Sequence, residues 1–189
     1  MKFNSRLVIF TLILIAVTTY CKYQFGPNLD WSGFSPIIAI SLFSGMLIND
    51  KGKSFMLPLI AVFASDMIIH ALYLSGNFAY PGFYTYQIFN YSLLLAVTLL
   101  GWALKGKNYG SIGLSAVIAP TVFFLISNCG AWLIDTGNLY PDNFAGLMAS
   151  YKAGLPFYKN ALMATLIFVP SILLTYNFLV KRTAALKLA

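Results

Sequence analysis

The stretch "ASDMIIHALYL", Ala64 to Leu74, sets an aspartate and the chain's only histidine four residues apart. On a helix that spacing puts Asp66 and His70 on one face. A neutral imidazole there can bind a transition metal such as cobalt, and a carboxylate beside it can fix the ring through its other nitrogen. The same acid can instead carry a proton in a coupled carrier or simply bind a neighbouring helix. Which chemistry applies depends on the element that holds the pair.

That element is apolar. Of 189 residues 59% are hydrophobic and 9% charged, more hydrocarbon than a soluble domain can cover with so little polar surface. The chain reads as an all-α membrane protein, one transmembrane domain over residues 1–189. Six apolar runs approach the length of a membrane helix, roughly 17–25 residues. They lie near 6–23, 34–49, 54–74, 84–104, 111–134 and 157–180. The first follows Lys2 and Arg6 like a signal peptide, but no small-x-small cleavage pattern comes after it, so it is expected to stay as a helix.

The connections alternate. "NDKGKS" and "KGKN" are tight and basic, whereas 24–33, 75–83 and 135–156 are longer and carry Gly, Pro, Asn and aromatic residues. A cytoplasmic N-terminus puts Lys2, Arg6, Lys51, Lys53, Lys105, Lys107, Lys181, Arg182 and Lys187 inside, against Lys22, Lys152 and Lys159 outside. The positive-inside rule then places both termini in the cytoplasm. The charge of +7 is thereby spent on topology, which removes the case for a nucleic-acid partner.

With that orientation polar residues gather at one depth. Asp66 falls near the midplane and His70 one turn further out. Gln87, Asn90 and Ser92 on span 4, Ser127, Asn128, Cys129 and Trp132 on span 5, and Asn160 at the start of span 6 are expected at a similar level, with the inner half nearly bare. Intramembrane polar groups mark pathways or pairs, so the pattern predicts a pocket open to the outside. Aromatic residues crowd "SGNFAYPGFYTYQIFNY", where Tyr84 and Tyr86 suit a lid over a flat ligand. Tyr140 joins them from the last outer loop, which is long enough to hold a short interfacial helix. Cys21 and Cys129 can bond only where their span ends meet.

"PNLDWSGFSPIIAISLFSGMLI", "PLIAVFASDMIIH", "FFLISNCGAWL" and "LYPDNFAGLMASYKAGLPFYKNAL" together resemble a family of small six-span bacterial membrane proteins. That family is similar to the substrate-binding S components of energy-coupling-factor vitamin transporters, especially the solitary BtuM-type cobalamin transporters. The resemblance implies a six-helix bundle in the bacterial inner membrane that takes up a vitamin-sized micronutrient, cobalamin foremost, with no intrinsic cofactor. It implies a cobalt ligand, for which His70 is the candidate axial ligand and Cys129 the alternative across the pocket. S components dock an energising partner through AxxxA faces on span 1. Here Ala16 is followed four residues later by Tyr20, which favours solitary action. The small-residue row Ser111, Ser115 and Ala119 on span 5 suits close helix packing.

Other classes fit less well. Asp66 alone lies well inside a span, so no carboxylate pair forms an aspartyl protease. There is no GxSxG serine and no phosphate-binding loop, hence no nucleotide motor and no enzyme is expected. A proton-coupled carrier using Asp66 remains the runner-up, and a structural subunit would not need polar groups on four helices.

The orientation is testable by labelling single cysteines with an impermeant reagent in whole cells. Positions in 75–83 and 136–156 should react and those in 50–53 and 105–108 should not; the opposite pattern overturns it.

Overall fold

The computed structural model describes residues 5–84, 86–104, 109–134 and 139–181. They form α1 (Ser5–Phe25), α2 (Ile37–Leu47), α3 (Lys51–Leu74), α4 (Gln87–Leu104), α5 (Tyr109–Leu133) and α6 (Phe144–Leu179), with no strand among the described residues. Lys2, Lys105, Lys107, Asp135, Asn138, Arg182 and Lys187 lie outside them.

Five of the six helices are long and apolar enough to cross a membrane, and α2 is the exception. The expected span 34–49 shortens to eleven residues, about 16 Å of helix. Pro36 opens it, and the chain leaves helical geometry at Ile48 because Asp50 begins the next helix. The Asp50 side chain caps α3 by accepting from the Lys53 amide at 3.0 Å. That backbone bond, with the neighbouring lysine, holds its carboxyl below the usual range.

α1, α3, α4, α5 and α6 touch in that order around a ring, and α2 packs inside against α3, α4, α5 and α6. Every residue from Ile38 to Leu47 is buried. An apolar sequence with no polar stripe suits such a position, because a helix hydrophobic all round has no face to offer water.

The tightest passage lies between α2 and α4. A Cβ on Gly45 would overlap the Thr98 carbonyl oxygen, and one on Gly101 would come 2.7 Å from the Leu42 carbonyl oxygen. The two glycines let the backbones meet, as small residues do between membrane helices. Ser115 and Ala119 of the expected row are also buried, on α5.

The end of the bundle carrying the short basic connections is filled. Phe10, Phe43 and Tyr176 meet with ring centroids 5.2–5.8 Å apart. Ser44 and Ser54 exchange hydrogen bonds, each hydroxyl donating to the other's carbonyl at 2.6 and 3.0 Å, and Trp102 Nε1 donates to Ser54 Oγ at 2.8 Å. With Asn177 also buried, this half is not bare of polar groups as expected, and Ser44, Ser54 and Trp102 bond to one another there.

At the other end α6 departs most from expectation. It starts at Phe144 rather than near 157 and runs 36 residues, on the order of 54 Å, so the expected interfacial helix is its first turns. The Asn143 side chain caps it by accepting from the Gly146 amide at 3.0 Å, and Ser150 Oγ donates to the Asn128 carbonyl at 2.8 Å, tying the extension to α5. Pro156 and Pro170 sit inside this helix, which packed neighbours make tolerable.

Gly45→Ala should destabilise the bundle by about 1–3 kcal/mol through overpacking. Gly113→Ala should be neutral, since a Cβ there meets nothing within 4 Å. Denaturation in mixed micelles compares them, and equal effects would contradict the α2–α4 contact.

Candidate functional site

A short central helix leaves the rest of the bundle's height without a plug. The vacancy is a cavity of about 550 Å³ at the loop-rich end, with Ile37 and Ile38 of α2 among its lining residues. Its walls come from the end of α1, the segment before α2, the second half of α3, the start of α4, the second half of α5 and the middle of α6.

Asp66 is the polar centre. It is 5% exposed and its two carboxylate oxygens are fully engaged. Oδ1 takes the ammonium of Lys22, from the last turn of α1. Oδ2 accepts from Tyr91 Oη at 2.6 Å and Gln87 Nε2 at 2.5 Å, both from α4. Lys22 also donates to Ser65 Oγ at 2.7 Å. One ion pair, buried at its aspartate and part-buried at its lysine, thus joins α1, α3 and α4, and the residues that make it line the cavity. Lys22 was counted only as a topology charge from sequence; its partner is 44 residues away.

Of the expected site residues, Asp66, Tyr84, Tyr86, Asn90 and Asn128 line this cavity. Asn90 Nδ2 donates to Tyr84 Oη at 2.6 Å, and Tyr86 Oη donates to the Ile134 carbonyl at 3.1 Å, closing α4 onto the end of α5. Asn128 donates to the Phe124 carbonyl at 2.9 Å.

The other expected residues lie elsewhere. His70 is absent from the lining and makes no hydrogen bond to Asp66, so the expected carboxylate hold on its ring does not form. Its ring packs against Tyr73 and Phe83, with Nδ1 buried and unpartnered. The cause is the returning chain: a Cβ on Gly82 would run into the Asp66 carbonyl and come 2.6 Å from the His70 amide, so the 81–83 segment lies directly on α3. Cys129 lines an adjoining apolar recess of about 440 Å³ with Leu125, Leu133 and Tyr151, which shares Phe89, Gly130 and Ile134 with the cavity. Both cysteines are free. Trp132 Nε1 donates to the Pro141 carbonyl at 2.9 Å, and Tyr140 stands half-buried in the same segment. Asn160 is buried and donates to the Asp30 and Ser32 carbonyls at 2.8 and 2.9 Å, holding the wall ahead of α2. No cluster of three His, Cys, Asp or Glu that could hold a metal forms among the described residues.

Several cavity residues were not singled out as site residues. Ser32, Gly33 and Ser35 come from the segment before α2, and Phe123, Phe157 and Tyr158 supply aromatic wall. Gln87 and Ser127 had been placed at this depth without a role. Tyr158 Oη and Thr121 Oγ1 share a hydrogen bond at 2.9 Å across α5 and α6. Two polar atoms are buried without partners in residues that line the cavity, Gln87 Oε1 and Ser35 Oγ.

The chain belongs to the DUF6580 family, a family of unknown function whose model matches residues 1–186. No curated protein and no solved structure matches it.

Removing one member of a buried ion pair leaves the other charge stranded, at about 3–5 kcal/mol. Lys22→Met and Asp66→Asn should each destabilise by that order. The double variant should lose clearly less than the sum of the two, by denaturant titration of all four proteins. Additive losses would mean the pair is not formed.

Proposed function

We propose that the protein is a substrate-binding membrane transporter, similar to S components, that takes up a vitamin-sized solute across the bacterial inner membrane. The observation that carries this reading is the cavity above α2. Its volume falls within the roughly 300–1,000 Å³ of small-molecule sites, and it combines apolar and aromatic walls with a few polar groups. Binding and passage, rather than catalysis, suit its residues: the one carboxylate is occupied by three donors and no nucleophile stands beside a base.

The topology supports capture from outside. The cavity lies at the end away from the basic connections, the external end by the positive-inside rule. The opposite end is packed shut by the Phe10, Phe43 and Tyr176 rings. No phosphate-binding loop occurs in the sequence and span 1 lacks an AxxxA face, so we propose solitary action, with energy drawn from outside the chain.

Cobalamin is the solute the resemblance implies. It would have to take an axial ligand from a residue off the cavity lining, since His70 and Cys129 both stand outside it. We therefore favour a smaller solute whose fit needs no metal bond. The runner-up, Asp66 as a transported-proton site, requires a proton to displace Lys22, Tyr91 or Gln87 from an already filled carboxylate.

Native mass spectrometry of the purified protein should reveal a retained small molecule. Ala131→Trp, which puts a large ring into the cavity lining, should remove that solute and abolish its uptake while leaving the protein folded. A protein with no solute, and uptake indifferent to the tryptophan, would overturn the proposal.

A further inference from the structure

The cavity's polar groups are unevenly satisfied, and the pattern describes a ligand. Gln87 is 7% exposed, and its amide nitrogen faces the Asp66 carboxylate, which only accepts. Its oxygen is thereby turned away from that carboxylate and is left as a buried acceptor with no donor. Buried acceptors are seldom left unmade in folded proteins, so this one marks a place for an N–H or O–H from outside the chain.

Donors are in surplus on the same cavity. Lys22 has three N–H groups, of which Ser65 and Asp66 take two. Ser35 Oγ has no partner. At the start of α2 the first intrahelical bond is that of the Ile40 amide to Pro36, and no side chain caps the helix. The amides of Ile37, Ile38 and Ala39 are thus left over, at the positive end of the helix dipole. Asp66 adds no free negative charge, because Lys22 neutralises it and its oxygens are filled. Around these groups stand the rings of Phe89, Tyr91, Phe123, Phe124 and Phe157, which favour a flat partner.

We infer that the cavity takes a flat nitrogen heterocycle, neutral or singly anionic, that offers an N–H to Gln87 and carbonyl or carboxylate oxygens to Ser35, Lys22 and the start of α2. This rests on the reading of the cavity as a solute site and deepens it. A planar cation is the class the arrangement excludes: it would meet the spare ammonium N–H and the helix N-terminus with no free carboxylate to offset them.

Orotate is a suitable probe because it joins N–H and C=O groups on one flat ring to a carboxylate. Calorimetry on the full-length protein in nanodiscs should show orotate binding, weakened at least about tenfold by methylation of its ring nitrogens and weakened by esterification. N-methylpyridinium should neither bind nor compete. Gln87→Leu should erase the difference between orotate and its N-methylated form. Ser35→Ala, away from the ion pair, should shrink the difference between acid and ester even if the Gln87 variant fails to fold. No orotate binding, equal binding of the N-methylated form, or preference for N-methylpyridinium overturns the inference. Should a different solute still be found retained by the protein and expelled by Ala131→Trp, the uptake reading survives and only the chemical class falls; if no solute is retained, both fall.

Discussion

Eleven residues of helix cannot cross a hydrocarbon core of about 30 Å, and the architecture follows from where that shortfall is put. α2 takes the centre, where its apolar surface meets α3, α4, α5 and α6 rather than acyl chains. The half it occupies packs solid, down to the glycine crossing with α4. The half it leaves empty becomes a cavity. A longer α2 would be a better membrane span and would remove the site.

An empty half-bundle needs something other than packing to hold its walls at their spacing, and the Asp66 centre does that. A lone carboxylate at this depth would cost at least about 2.5–3.5 kcal/mol on insertion scales. Three bonds from Lys22, Gln87 and Tyr91, with the lysine also bonded to Ser65, turn that liability into a cross-link. It fastens α1, which otherwise contacts mainly α3, to the rest of the bundle. Asn160 performs a similar task for the segment before α2, and Gly82 brings the chain after α3 down onto its last turns. The cavity's rim is therefore built from local segments pinned by polar bonds, while its floor is built from hydrocarbon.

What was legible in the sequence was mostly what depends on one helix at a time. Five spans, the alternation of basic and aromatic connections, and the depth shared by Asp66, Asn90 and Asn128 follow from counting residues along apolar runs. The misjudged features all depend on a second segment. His70 shares a helical face with Asp66 as expected, but chain twelve residues later covers that face, and no spacing within span 3 reports it. Lys22 counts in the sequence only as an outer-side charge, because its partner Asp66 lies 44 residues away on another helix. The expected span near 157–180 misses the first turns of α6, which hold as helix through Pro156 because Ser150 ties them to α5. For α2 a signal was present: a run with Ser41 and Ser44 as its only hydrogen-bonding side chains, bounded by Pro36 and the capping Asp50, reads as a buried plug once length is taken strictly.

The proposed uptake would place a demand on this arrangement that the static packing makes specific. A solute lying on Ile37 and Ile38 has beneath it the rest of α2, whose far end supplies Phe43 to the aromatic cluster and Ser44 to the reciprocal bond with Ser54. The floor of the site and the seal of the opposite end are thus the same helix. Gly45, next to Phe43 and Ser44 on α2, holds the helix backbone against α4 beside the seal. Under the proposed uptake, passage would require α2 to shift against the ring as a unit, with the glycine crossing as the contact that slides or parts. Rigid helices moving on small-residue seams are an inexpensive form of such motion. On that view the helix that is too short to span the membrane is also the part whose displacement would convert a binding site into a passage.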